Sequence, residues 1–374
     1  MANLPSWINF YPDNSTATNS TTSDYDELLS LKYKIGVVMI VICGLCYVVI
    51  CLMCIVFNGL LCWLIWKTPE EHKSTDYFIL NLAISDLLVG IFCIPFTLIN
   101  HIYTENQLGD VMCKMTPFIQ GTAVGSSVFT LAAVAVDRCR MLFSAPGSHF
   151  TGRQVAVTVG TIWVASTATM LPQALYRHET AFFIPPLGRS ISLCVEDWPL
   201  IQLYTLLLFV ICYLVPLLVT GGLYITICIH LWYKRPPGED DAARQKTQKM
   251  KQVIKMLITI VAMFALSWLP LYACWILEDF GRLAFGERVI MMSYVNPIAH
   301  LLAFSNSCVN PVVFVYFRPQ LRREGCQALY AWCVCGTKRH PGPAQPAAQR
   351  QVAMQALRQD AMRQHRKLQR LQYV

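Results

Sequence analysis

The chain has 374 residues, 55% of them hydrophobic and only 14% charged, with a mean hydropathy of +0.43. That balance is wrong for a soluble domain of this length and right for a membrane protein, so the formal net charge of +8 must sit where the chain leaves the lipid. Seven apolar stretches, roughly 35–66, 76–103, 111–143, 155–176, 201–233, 253–277 and 289–317, can each cross about 30 Å of hydrocarbon.

In chain order, the first element is polar. Residues 1–34 carry Asp13, Asp24, Asp26 and Glu27, a first basic residue only at Lys32, and two glycosylation sequons beginning at Asn14 and Asn19. By contrast, residues 234–255 hold seven Lys or Arg against three acids, and residues 318–374 hold eleven against two. Basic connections stay in the cytoplasm. The expectation is therefore a plasma-membrane protein with an extracellular, glycosylated N-terminus (1–34), a membrane domain (35–317) and a cytoplasmic end. The polar start has neither a basic n-region nor an apolar h-region, so no cleaved signal peptide is expected and the first span acts as the targeting segment.

Polar groups inside the spans are few and placed with purpose. The second span contains "NLAISDLLVG", which sets Asp86 in mid-membrane, where an unpaired carboxylate is expensive and points to function. Asn58, Ser127, Asn306, Ser307 and Asn310 come from other spans and can complete a cation site or a water network around it. Most of the sixteen cysteines lie inside spans and act there as small apolar fillers. Cys113, which opens the third span, and Cys194, in the long loop after the fourth, lie on the oxidising side. Cys274 is the other candidate partner, and Cys113–Cys194 is the expected bridge. Cys113 and Arg138 are 25 residues apart, about 37 Å along a helix, so the abrupt charged pair Asp137-Arg138 in "AVAVDRCRMLF" falls at the cytoplasmic face. It reads either as a boundary marker whose arginine reaches interfacial water or as a latch that exchanges partners when the bundle opens. Prolines at 216, 270 and 311 describe helices that bend at set depths.

The motifs "GLLCW" after Asn58, "LAISD", "DRC" at the end of the third span, Trp163, Pro216, "SWLP" and "NPVVF" resemble the ordered landmarks of rhodopsin-like G-protein-coupled receptors over about residues 35–330. Within that superfamily, "FILNLAISDLLVGIFC", "CKMTPFIQG", "SVFTLAAVAVDR", "CVEDWP" and "AHLLAFSNSCVNP" are most similar to receptors for neuropeptide FF and related peptides ending in Arg-Phe-amide. Neuropeptide Y-type receptors are the next neighbours. The resemblance implies an all-α, seven-transmembrane helix bundle followed by a short amphipathic eighth helix over 318–335 and a basic tail over 336–374. It also implies that an agonist opens the inner half of the bundle, releasing Arg138 from Asp137 to meet a heterotrimeric G protein. Tyr224, Phe264, Trp268, Pro270, Asn310, Pro311 and Phe314 match the switch positions.

Four departures bear on signalling. Cys139 follows the Asp-Arg pair in place of the usual tyrosine, Phe314 stands where tyrosine is usual after Pro311, Ser267 replaces the usual cysteine before Trp268, and "ENQLGDVMC" lacks the customary tryptophan.

For the ligand, Gln120 occupies the position where a receptor for small amines needs a carboxylate. With Thr97 and His300 it offers donors and acceptors for a neutral carboxamide, and the resemblance assigns those positions to an amidated peptide terminus; packing as satisfied helix-contact polars is the alternative. Glu196, Asp197, Glu278 and Asp279 make an acidic mouth suited to a cationic peptide. Asp279 is the expected arginine partner, with Glu196 and Asp197 sharing the role or solvating the loop. Asp86, Ser127, Asn306, Ser307 and Asn310 form a candidate allosteric sodium site, and no other cofactor is expected.

On the cytoplasmic side Cys326, Cys333 and Cys335 are candidates for palmitoylation, and the tail "QRQVAMQALRQDAMRQHRKLQRLQ" is either solvated or a surface helix drawn to anionic lipid. Thr337 is the sole Ser or Thr after Phe317, so weak arrestin binding is expected. No nucleic-acid partner is expected. An enzyme is disfavoured because metal clusters, nucleophile elbows and phosphate loops are missing, and His72, His101, His149, His178 and His230 are scattered and read as interfacial or solvated. A transporter is disfavoured by the single deep carboxylate and the lack of matched halves. A neuropeptide Y-like receptor, another peptide receptor or a weakly signalling decoy remain as alternatives.

Overall fold

A computed structural model describes residues 33–67, 74–144, 150–184, 189–233 and 241–317. Among them, seven helices are long and apolar enough to cross a membrane: Val37–Lys67, Ser74–Ile102, Gly109–Phe143, Gly152–Tyr176, Ile201–Leu231, Met250–Phe280 and Gly286–Phe317, the first to seventh spans. These match the apolar stretches closely. The sixth differs, because its helix begins at Asp241, ahead of the apolar run. The intervening Ala, Arg, Gln, Lys and Met are strong helix formers, so the helix continues beyond the hydrocarbon. The expected eighth helix, Asn14, Asn19, Cys326, Cys333, Cys335 and the basic tail lie outside the described residues.

The bundle is inside-out relative to a soluble protein. Val38, Val164, Leu218 and Leu266 are 66–74% exposed, while Asn58, Asp86, Asp137 and Asn310 are at most 2% exposed. Lipid tails accept the first set, and only neighbouring helices can satisfy the second. The third span is the most enclosed, with 67% of its apolar window buried against 17% for the first. Its "GTAVG" segment explains one close approach. A Cβ added at Gly121 would lie 2.2 Å from the Met170 sulfur, and one at Gly125 3.0 Å from the Ser166 hydroxyl, so this small-xxx-small face lets the fourth span pack against the third.

The long loop after the fourth span is an antiparallel hairpin of β1 (Arg177–Ile184) and β2 (Arg189–Glu196), with Arg177 opposite Glu196 and Glu179 opposite Cys194. Phe182, Ile191 and Leu193 form its small apolar face. The Cys113–Cys194 disulfide, with Cα atoms 5.7 Å apart, ties it to the third span, while Cys274 is a free, buried thiol. Two hydrogen bonds add to that tie, from Glu179 N to Asp110 Oδ1 (2.9 Å) and from Asn106 N to the Ser192 carbonyl (2.8 Å). Gly109, at φ 73°, makes the turn into the third span that an L side chain resists.

Two further irregularities shape the same end. Val210–Leu214 in the fifth span and Met291–Val295 in the seventh are π-helical turns, each holding an additional residue.

Candidate functional site

At the Cys113 end the helices enclose a cavity of about 410 Å³. That volume suits a drug-sized group, or the last residues of a longer ligand. Its deep wall is aromatic: Trp268, Tyr272 and Trp275 line it, with the Trp268–Tyr272 and Tyr272–Trp275 ring centroids 6.3 and 5.3 Å apart, and Phe264 packs behind Trp268 at 6.0 Å. Thr97, Gln120 and His300, gathered from the second, third and seventh spans, all line it. Neither Thr97 nor Gln120 makes a side-chain hydrogen bond among the described residues, although both are 7% exposed. Polar groups so enclosed without partners inside the protein are placed for something in the cavity. His300 Nδ1 lies 3.0 Å from the Asn296 carbonyl.

The acidic rim divides by partner. Glu196 pairs with Arg177 at 3.0 Å and accepts from Gln173 at 3.2 Å, so its charge is answered within the fold. Asp279 accepts a hydrogen bond from the Thr205 hydroxyl at 2.5 Å, and Glu278 accepts one from Asn296 at 2.5 Å. Neither is in an ion pair among the described residues, and both line the cavity. Asp197 does not. It follows the end of β2 and is exposed. His101, read from sequence as interfacial or solvated, also lines the cavity, with its Nε2 buried. Its position near the end of the second span turns it toward His300.

Deeper in the bundle, Asp86 accepts from Asn310 Nδ2 at 2.9 Å and from Ser307. Asn306 Oδ1 and Asn310 Oδ1 are buried acceptors without partners among the described residues. A carboxylate with spare carbonyl-type oxygens is a donor set that fits a hard monovalent cation such as sodium. Ser127 is buried, yet no hydrogen bond joins it to Asp86 among the described residues. The adjacent Ser126 is engaged instead, in a network with Ser85 (3.1 Å) and Asn81 (3.3 Å). Asn81 also donates to Thr130 at 2.8 Å and accepts from Trp163 Nε1 at 2.8 Å. Sequence reading singled out Trp163 but not Asn81, whose signal was its place in "NLAISD".

At the other end, Arg138 and Asp137 form a 2.9 Å ion pair in which the aspartate is fully buried. Such a pair persists only if the remaining lone pairs are met. They are: Ser74 donates to both Asp137 oxygens at 3.2 and 3.3 Å, and the Phe150 amide donates to Oδ1 at 3.1 Å. Arg138 also donates to Thr75. Arg138 is itself only 7% exposed, so the pair lies within the helix packing. Nearby, Tyr224 and Phe314 belong to one packed cluster, and the Tyr224 hydroxyl is buried without a partner among the described residues. Pro270 and Pro311 lie inside the sixth and seventh helices.

Seven spans, a bridged hairpin over one mouth and a buried Asp-Arg pair at the far end define a membrane receptor of the heptahelical class. The profile of the 7 transmembrane receptor (rhodopsin family) matches residues 57–314, and the chain belongs to that family. It is 37% identical to neuropeptide FF receptor 1 of Homo sapiens, over 85% of this chain and 75% of that one. Against neuropeptide FF receptor 2 of Mus musculus the identity is also 37%, over 77% and 71%. A QRFP-like peptide receptor of Branchiostoma floridae is 30% identical over 71% and 72%.

Proposed function

We propose that this receptor recognises an amidated peptide ending in Arg-Phe-amide and, when occupied, drives nucleotide exchange on a heterotrimeric G protein. One observation carries the reading. A single cavity joins hydrogen-bonding groups free to meet a carboxamide, Thr97, Gln120 and His300, to a rim carboxylate, Asp279, that has no cation of its own among the described residues. A terminal amide then lies among neutral groups, the phenyl ring against Trp268 and Tyr272, and the arginine at the rim. The relatives' names agree that the ligand is a neuropeptide.

The Cys113 end faces outward and the Arg138 end the cytoplasm, as the acidic start and basic inner segments require, and the receptor acts at the plasma membrane. Asp86, Ser307, Asn306 and Asn310, together with Ser127, would hold a sodium ion, whose charge would favour the closed bundle.

The test is a nucleotide-exchange assay on receptor and G protein with a peptide in amidated and free-acid forms. The amide is expected to activate. The free acid is expected to be much weaker, since burying its charge is costly and Arg177, the cation in the cavity lining, is already paired with Glu196. Equal potency of the two forms contradicts the assignment of Gln120, Thr97 and His300.

A further inference from the structure

The ligand cavity holds a pair of imidazoles that the peptide reading does not fully use. His101 and His300 have ring centroids 4.9 Å apart with planes at 62°. His101 Nε2 is buried and has no hydrogen-bond partner among the described residues, so its lone pair or proton is unanswered within the protein. Donation from His300 Nδ1 to the Asn296 carbonyl, 3.0 Å away, leaves the lone pair of that ring on Nε2. A backbone carbonyl behind the ring is how proteins commonly fix a metal-binding histidine.

The spacing agrees. A tetrahedral ion bonded to two imidazole nitrogens at about 2.0–2.1 Å sets the ring centroids roughly 5 Å apart. Tyr47 packs 6.2 Å from His101, and Phe304 and Trp275 pack 5.9 and 6.3 Å from His300, which walls the pair from lipid. The charges nearby are mixed. Lys34 Nζ is bound to the Asn100 carbonyl and Arg177 to Glu196, whereas Glu278 sits against Asn296 without an ion pair among the described residues.

We propose that His101 and His300 bind a divalent transition-metal ion, zinc above all, inside the ligand cavity, and that the bound ion competes with the peptide amide for His300. Two protein nitrogens leave the other coordination positions to water or ligand. Imidazole selects zinc and copper over magnesium and calcium. The metal site stands without the peptide reading; the competition rests on it.

The experiment uses the purified full-length receptor and the metal alone. Micromolar Zn²⁺ is expected to raise the thermal unfolding midpoint saturably, with reversal by chelator and no effect of equal Mg²⁺. His101→Gln and His300→Gln are each expected to abolish the shift, and His101→Cys, which restores a zinc ligand, to keep it. No shift in the unmutated receptor, or a shift that survives both glutamine variants, overturns the proposal. In the exchange assay Zn²⁺ is expected to move an Arg-Phe-amide dose response to the right by about five- to tenfold, an effect lost in His101→Gln. A thermal shift with an unmoved dose response overturns the competition alone. A peptide that never activates defeats the peptide reading while the thermal shift still decides the metal site.

Discussion

Among the rim acids, only those whose charge is unanswered can reward an incoming cation. Glu196 already holds Arg177 at 3.0 Å, whereas Asp279 is held by the neutral Thr205 hydroxyl at 2.5 Å. Asp279→Ala is therefore expected to weaken an Arg-Phe-amide peptide by about 2–5 kcal/mol if the pair is desolvated, and Asp197→Ala to leave affinity within experimental error. Competition binding checks both, and an unchanged Asp279→Ala moves the arginine to Glu278. Sequence put Glu196, Asp197, Glu278 and Asp279 in one acidic mouth, because composition and spacing show which residues are near an end of a span. They do not show which way a side chain turns or which cation it already has. His101 was misread for the same reason: a histidine near a helix end is usually wet, and only the approach of the seventh span makes this one part of the cavity wall.

At the scale of helices, the second span contributes to both interior polar sites. Its first turn supplies Ser74 and Thr75 to the Asp137–Arg138 pair. Ser74→Ala removes a hydrogen bond worth about 0.5–1.5 kcal/mol. Basal nucleotide exchange is expected to rise about two- to tenfold if that bond exists only in the closed bundle. A basal rate equal to that of the unmutated receptor removes the second span from the latch. Farther along, Asp86 meets Asn310 of the seventh span at 2.9 Å. If sodium favours the closed arrangement there, replacing an inert organic cation with Na⁺ at matched ionic strength lowers agonist affinity, and Asp86→Asn erases the dependence. Agonist binding indifferent to sodium makes the Asp86 cluster purely structural. The spans themselves were legible, since hydrocarbon thickness fixes their length and the charged and polar connections mark where they leave the lipid. The partners of Asp137 were not, because Ser74 lies 63 residues away in sequence. The hairpin also escaped, although the alternation in "SISLCVE" and the turn-forming "PPLG" carried its signal.

For the molecule as a whole, the segments proposed to face the cytoplasm are poor in Ser and Thr, the sites where signalling could be shut off. Thr247 is the sole Ser or Thr in residues 234–255 and Thr337 the sole one after Phe317, with Ser144, Ser148 and Thr151 between the third and fourth spans. Each phosphate would add about −1.5 to −2 charges for a cationic partner to grasp, and no cluster of them can form on such a tail. Agonist-driven arrestin recruitment in cells is therefore expected to be weak or brief, and truncation after Gly336 to alter membrane association more than desensitisation. A strong, sustained arrestin signal that disappears on truncation overturns this expectation.

The π turns at Val210–Leu214 and Met291–Val295 give the receptor two places where chain length can change by one residue without breaking a helix. Removing a residue from the first lets the wide turn tighten to a regular α-helical one while the residues on either side keep their facing, because the wide turn is where the additional residue is absorbed. Thr205 and Leu208 would stay on the cavity wall and Tyr224 in the cluster around Phe314, whereas the same deletion in regular helix would rotate everything beyond it by about 100°. These turns are thus the points in the fifth and seventh spans where a change of one residue in length does least harm to the cavity.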